Sequence, residues 1–239
     1  MSDNCWIDKG HYWEHTANQG SQSWLNSRNR LTASKFDSAT SDNPKFDTPD
    51  DVAGYILGHK KPTFTEDAIK RMKFGTDNEP RVRDWYCKTY KLKVIETGLA
   101  VPKWNLYLGA SSDGDVYDEN NNCIGVIEIK CPQKMYQPLL QAQGQVHNDV
   151  FEHKHIWSSH YAQMQGNMAV KQVSWCDYIV ADLYADIVIV ERVHFNPEYW
   201  FKDLYPKLVK FINKYLLEVN KSNWPPGYEL LKNTPIEEV

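Results

Sequence analysis

Long hydrophobic runs are missing from this 239-residue chain: no stretch of 18 apolar residues occurs, and no charged-then-apolar leader opens it. The expectation is a soluble, intracellular protein with no membrane engagement. Cysteine is scarce: Cys5, Cys87, Cys123, Cys131 and Cys176 are odd in number, scattered and without a Cys-x-x-Cys, which speaks against structural zinc and against a disulfide framework. An excess of positive charge is missing too. Twenty-seven Lys and Arg stand against 31 Asp and Glu, giving a net charge of -4, so the chain cannot coat polyanions indiscriminately through a broadly basic face. There is no internal repeat.

What remains is globular. Hydrophobic residues make up 41% and aromatics 13%, and the length suits one α/β domain with a substantial core but not two large ones. The expected organisation is an N-terminal extension over 1–22, a single domain over 23–219 and a C-terminal tail over 220–239. The basic residues are grouped: Arg28, Arg30 and Lys35; Lys70, Arg71, Lys73, Arg81 and Arg83; Lys88, Lys91 and Lys93. The last group reads as a solvated helix face, and the others leave room for a local basic groove.

Residues 1–22 show no clear period. A helix or helix pair is expected from Ser23 to Ala39, broken near Thr32, and a loop from Asp37 to Asp51. A helix opens at Thr65 and continues to Tyr90, with a kink or restart at Pro80 because proline lacks the amide donor. Strands are expected near Val94–Val101, Leu106–Ala110 and Ile124–Lys130, then a helix over His160–Val170. Two apolar runs, Cys176–Leu183 and Ile187–Phe195, read as buried strands. Asn196-Pro197 starts the last helix, whose core stripe is Trp200, Leu204, Leu208, Phe211, Ile212 and Tyr215.

Two segments carry chemistry. Gly109-Ala-Ser-Ser-Asp113-Gly114-Asp115 follows a strand-like run, and in Gly125-Val-Ile-Glu128-Ile-Lys130 the period of two puts Val126, Glu128 and Lys130 on one face with Ile127 and Ile129 on the other. The polar turn Asp118–Asn122 folds the two segments together. Taken singly, Asp-Gly is a turn signal and Glu-x-Lys a solvated pair. Together they offer two carboxylates for a hard divalent cation and a lysine beside it, the set that phosphodiester hydrolysis needs.

Gly75, Glu79, Val82, Arg83 and Tyr86 recur at helical spacing, so Glu79 is either a third carboxylate or a surface acid beside a restarting helix. On the later helix His160, Gln163, Met164 and Asn167 share a face while Gln165 points away, and Gln163 is placed to orient a phosphate or water. His147, His153, His155 and His160 do not close a zinc site with any third ligand, and Cys131 beside Lys130 lacks the His and acid of a thiol nucleophile.

The pattern as a whole resembles the PD-(D/E)XK nucleases, and within them the lambda-exonuclease-like, YqaJ-type viral recombinases. Four blocks carry the likeness: Trp24-Leu-Asn-Ser-Arg28 with Leu31-Thr32-Ala33-Ser34; Gly75-x-x-x-Glu79-Pro80-x-x-Arg83-x-x-Tyr86; Ser112-Asp113-Gly114 with Glu128-Ile-Lys130-Cys131-Pro132; and Tyr161-Ala-Gln163-Met-Gln165-Gly-Asn-Met168. The resemblance implies a restriction-endonuclease-like α/β core, a central mixed sheet flanked by helices. It implies 5′-to-3′ degradation of double-stranded DNA that leaves 3′ single strands. Asp113, Glu128 and the Ile129 carbonyl would bind Mg²⁺ or Mn²⁺, with Glu79 in the outer shell or on a second ion. Lys130 would activate water, Gln163 would steady Lys130 or the scissile phosphate, and Arg28 and Ser34 would hold a 5′-terminal phosphate. Arg30 competes with Arg28, because the spacing to Thr-Ala-Ser is one residue short of the phage protein's, and His160 replaces an expected tyrosine. A ring-shaped homo-oligomer around DNA and a single-strand annealing partner are also implied. The rival readings are a structure-specific or restriction-like endonuclease with the same metal site, and a non-catalytic DNA-binding or assembly protein that keeps the fold.

Overall fold

A computed structural model describes residues 5–132, 155–230 and 236. Its centre is a five-stranded mixed sheet of β4 (Lys93–Ile95), β7 (Gly114–Tyr117), β8 (Cys123–Lys130), β9 (Trp175–Asp182) and β10 (Ile187–His194) in the order β10-β9-β8-β7-β4. β8 and β9 run parallel and the other neighbours antiparallel. The connection from β8 to β9 passes through α5 (Ser158–Lys171), the helical crossover that a parallel pair requires.

Helices cover both faces. On one, Val82 and Tyr86 of α4 (Glu66–Tyr90) pack with Val116, Ile127, Ile129, Ile179 and Ala181. On the other, Met164 and Met168 of α5 pack with Val126, Cys176, Tyr178 and Val180. The alternation in β8 is therefore obeyed, with Ile127 and Ile129 toward α4 and Val126 toward α5. β9 is buried along almost its whole length, which accounts for its near-continuous apolar sequence.

A larger cluster lies beside this core. It joins β1 (Trp6–Asp8), β2 (Tyr12–His15) and β5 (Ala100–Pro102), the parallel pair β3 (Leu31–Thr32) and β6 (Leu108–Gly109), and helices α1 (Gln22–Ser27), α2 (Phe36–Thr40) and α3 (Pro49–Ile56). The C-terminal helices close it. A short α6 (Pro197–Tyr199) and a π-helical turn over Trp200–Leu204 lead into α7 (Tyr205–Tyr215), with Trp200, Leu204, Leu208, Phe211 and Ile212 buried as the sequence stripe requires.

Several expectations are corrected. The aperiodic N-terminal stretch has regular structure: β1 and β2 form a hairpin that pairs through Tyr12–Glu14 with β5. The break near Thr32 is a two-residue strand, because Leu31 and Thr32 take ladder bonds from the Leu108–Gly109 segment. The strand-like run before Asp113 therefore does not pair with β8. That partner is β7, which begins after Asp113 and is joined to β8 through the Asp118–Asn122 turn. Pro80 neither ends nor restarts α4, which runs unbroken from Glu66 to Tyr90. In the tail, Trp224 is buried against Tyr107, and Asn29 accepts its indole N–H.

Candidate active site

The site forms where β7 and β8 part. Gly114 pairs with Ile127, so one further step of the antiparallel register sets Asp113 opposite Glu128, and directly opposed residues share a face. At that step the regular register gives way: the Asp113 amide donates to the Ile127 carbonyl at 3.1 Å, and the Asp113 carbonyl accepts from Arg83 Nε of α4 at 2.8 Å. The Ile129 amide donates to Asp113 Oδ2 at 2.6 Å, so the side chain of Asp113 takes the place of a backbone acceptor there. The same arginine pairs with Glu96 at 2.7 Å and ties α4 to the sheet edge.

Glu128 is 1% exposed and held from two sides, Oε1 accepting from Lys130 Nζ at 2.6 Å and Oε2 from Asn167 Nδ2 at 3.1 Å. Burial, then the charge of Asp113, pushes the Glu128 carboxyl up to about 8. Burial raises Asp113 too, against the lowering pull of Lys130. Glu79, reaching from α4, is pushed up to about 7 by burial and by Asp113. All three acids thus occupy one electrostatic neighbourhood. Lys130 is the compensating cation: Glu128 and Asp113 hold its ammonium above the usual lysine range despite burial. Burial, followed by Glu79 and Asp113, pushes the Cys131 thiol up to about 11, away from the thiolate form.

This donor set suits a hard divalent ion. All the donors are oxygens, and the buried Glu128 carboxylate and the half-buried Asp113 carboxylate face each other at an electrostatic cost that a cation offsets. Among the described residues, no three His, Cys, Asp or Glu side chains are already gathered as a chelating group. Ions such as Mg²⁺ are compatible with that, being held by one or two carboxylates with water and substrate completing the shell.

Helix α5 supplies a polar stripe that the sequence only half revealed. His160 Nδ1 and the Tyr178 hydroxyl lie 2.7 Å apart, Asn167 binds Glu128, and Lys171 Nζ is buried against Asp115 at 2.5 Å and Thr97 Oγ1 at 2.7 Å. Ser112, just before Asp113, donates to Asp115 Oδ1 at 2.7 Å. Asn167 and Lys171 were missed as site residues; their signal is the continuation of the His160 face by steps of seven and four. The bond that reaches the carboxylates from α5 belongs to Asn167, not to Gln163, which is half-buried four residues earlier. Gln165 does point away from the acids, but into a buried role, bridging the His194 carbonyl and the Asn196 amide.

A second cluster lies at the end of α1. Arg28 Nη2 donates to Thr32 Oγ1 at 3.0 Å and Ser34 Oγ at 3.2 Å, and its guanidinium sits 4.2 Å over the Trp24 ring. Burial lowers Arg28 to about 10, which leaves it a cation at neutral pH. Ser34 is exposed beside it. Arg30 does not compete for this place. It is 1% exposed, donates to the Ser27 and Leu106 carbonyls and lies between the Trp6 and Trp224 rings. Of the histidines weighed for zinc, His155 pairs with Glu191, and His147 and His153 lie outside the described residues.

Against known proteins, residues 23–174 match a family model described as the YqaJ-like viral recombinase domain. The backbone is similar to that of an alkaline exonuclease (LHK-Exo) from Laribacter hongkongensis, with a TM-score of 0.63 and 21% identity over 82% of this chain and 92% of that one. The figures are the same for that protein in complex with dAMP. A phage-related exonuclease from Haemophilus somnus 129PT gives a TM-score of 0.52 and 14% identity over 78% of this chain and 92% of that one. At these identities the likeness is one of fold. No curated protein matches the chain. Among the described residues no helix is long and apolar enough to cross a membrane.

Proposed function

Because this chain belongs to the YqaJ-like viral recombinase domain family, we propose that it hydrolyses double-stranded DNA from a 5′ end, leaving a 3′ single strand for recombination or end processing. The observation that carries the reading is the meeting of Glu79, Asp113, Glu128 and Lys130 where β7 and β8 separate. On this reading the five-stranded sheet is a PD-(D/E)XK nuclease core.

Asp113 and Glu128 hold Mg²⁺ or Mn²⁺, with the Ile129 carbonyl as a further ligand and Glu79 in the outer shell or on a second ion. When bound, such an ion offsets charge on the scissile phosphate and lowers the pKa of water. The protein's own part is to fix the acids and a cation beside them. Lys130 is kept protonated by its two acidic neighbours, so it orients water and phosphate as a hydrogen-bond donor and a positive charge. Gln163, four residues before Asn167 on α5, steadies the phosphate or Lys130 on this reading. Arg28 and Ser34, with Thr32 between them, bind a 5′-terminal phosphate by charge-assisted hydrogen bonds. Double-stranded DNA is the partner; a ring-shaped homo-oligomer and a single-strand annealing protein follow from the family reading.

The test is degradation of end-labelled linear duplex beside closed circles, with Mg²⁺ or with chelator. Linear DNA should be consumed from 5′ ends only with the ion, faster from phosphorylated than hydroxyl ends, and Arg28→Ala should erase that difference. Nicking of circles as fast as degradation of linear DNA makes it an endonuclease. If the parent has no ion-dependent hydrolysis for Asp113→Asn or Lys130→Ala to abolish, a non-catalytic binding protein is left.

A further inference from the structure

The turn between β9 and β10 presents a side chain that the fold does not bury. Turns favour Gly, Pro, Asn, Asp and Ser, and Asp182 fills that part, its Oδ1 accepting the Tyr184 amide at 3.1 Å and the Ala185 amide at 3.0 Å. The residue held out by this turn is Tyr184, 73% exposed. One face of its ring stacks on Phe74 of α4, 5.4 Å between centroids and 7° from parallel. Among the described residues no other ring and no cation lies against it, so at that exposure the opposite face is open to solvent.

Phe74 belongs to a stripe along α4. Lys70, Phe74, Asn78, Arg81, Trp85 and Lys88 follow one another at steps of four and three, so they share one side of the helix over about 27 Å. At about 100° per residue that side is turned roughly 100–180° from Glu79, away from the acids. The turn runs along it: Arg81, Val82 and Trp85 face Leu183, Asp186 and Val188 across a groove of about 340 Å³. Lys70, Arg81 and Lys88 are exposed and, among the described residues, make no ion pair. Of the nearby acids, Asp77 is held by Lys73 at 2.7 Å, and Asp84 and Asp186 leave the cations in excess. Rings and cations in alternation bind unpaired nucleic acid, bases stacking on the rings while phosphates meet the cations. A duplex, its bases already stacked on one another, has no use for the open face of Tyr184. An apolar partner would bury the cations without compensation.

We propose that Tyr184, backed by Phe74, and the Lys70–Lys88 stripe of α4 form a second nucleic-acid site that takes a single strand, with a base on the open Tyr184 face and phosphates on Arg81 and its neighbouring lysines. The site does not depend on the proposed hydrolysis, although a strand left unpaired by that reaction has the right chemistry to occupy it. Binding of labelled oligothymidylate is measured in chelator, alongside an abasic oligomer of the same length and a blunt duplex. Tyr184→Ala should weaken oligothymidylate binding by about 5- to 150-fold, the range for loss of one base–aromatic stack, and Tyr184→Phe should keep most of it. The side chain is mostly exposed, so the melting temperature should stay where it is. The abasic oligomer and the duplex should be indifferent to Tyr184→Ala. Arg81→Gln should weaken both single strands alike and reduce the slope of log affinity against log salt by about 0.7, the value of one phosphate contact on a single strand. A parent without affinity for oligothymidylate, equal losses on oligothymidylate and the abasic oligomer with Tyr184→Ala, a loss confined to the duplex, or no loss at all overturn the site. Hydrolysis of duplex DNA in Mg²⁺ is scored separately. A parent that degrades DNA while Tyr184→Ala binds as the parent does loses this site alone. A parent that degrades nothing yet shows the base-dependent loss keeps the site and loses the nuclease reading.

Discussion

Asn167 decides how Glu128 is presented. Its amide donates to one carboxylate oxygen in a place almost closed to water, while its own Oδ1 is buried with no hydrogen-bond partner among the described residues. Replacement by leucine keeps the approximate volume but strips Glu128 of a donor, and an unsatisfied buried acceptor costs about 1–3 kcal/mol. Replacement by aspartate instead brings a further negative charge against acids that already raise one another. Asn167→Leu should therefore melt lower by a similar margin with or without Mg²⁺. Asn167→Asp should melt lower still in chelator and recover much of the loss in Mg²⁺. Thermal melts of both variants in the two buffers check this, and equal ion dependence in the two would remove the amide from the proposed ion site. At this scale the sequence was readable where the geometry is local: the alternation of β8 sets Glu128 beside Lys130, and the hairpin sets Asp113 across from them. It was silent where choice is tertiary. Arg28 and Arg30 look equivalent in a list of residues, and only the closure of Trp6 and Trp224 over Arg30 assigns one to the core and the other to the surface.

At the scale of elements, α4 is a helix whose buried side chains are just Val82 and Tyr86, with Tyr86 tied to Asp177 at 2.5 Å. In the half before Pro80, Ile69, Lys70, Arg71, Met72 and Lys73 are exposed. That anchorage explains why the proline does not break the helix: it removes one amide bond, and the contacts beyond it hold the axis. Gly75 lies one turn before Glu79, and a Cβ built on it meets nothing within 4 Å. Nothing in the packing requires glycine there, and glycine in a helix interior costs about 0.5–1 kcal/mol relative to alanine. Gly75→Ala should accordingly raise the melting temperature. If bare backbone at this face lets duplex DNA approach the acids, the same variant should degrade long duplexes several-fold more slowly, through KM more than kcat. A variant both more stable and fully active would leave Gly75 without a role at the DNA face. Periodicity alone gave the Gly75–Glu79 face, because both lie within one helix; that the face turns toward Asp113 depends on Arg83 reaching across to the sheet.

The whole molecule is two cores sharing one helix. α5 faces the central sheet with Met164 and Met168 and the second cluster with Ala162 and Val170. The join is sealed at its C-terminal end by Lys171, which is fully buried with Asp115 and reaches Thr97, while the Lys171 carbonyl takes a hydrogen bond from His11. No local pattern predicts this pair, because its partners lie far apart in the chain and come together only when β7, α5 and the N-terminal hairpin close on one another. Burying two charges is costly, and such a pair contributes little net stability, yet removing one partner strands the other and costs about 3–5 kcal/mol. Lys171→Met should therefore lose stability on that scale. Asp115→Leu alone should lose comparably, with Lys171 then the stranded charge. The double variant should be less destabilised than the sum of the two, since it leaves no unpaired ion in the core, although Ser112 and Thr97 still lose a partner. Urea unfolding of the four proteins measures the coupling, and additive losses would show that the two groups act separately. The pair also holds Ser112, whose neighbour is Asp113, so the double variant should fold and still hydrolyse DNA more slowly than the parent. Full activity in a folded double variant would mean that the turn carrying Asp113 is set by Arg83 and the Ile129 amide without help from the buried ion pair.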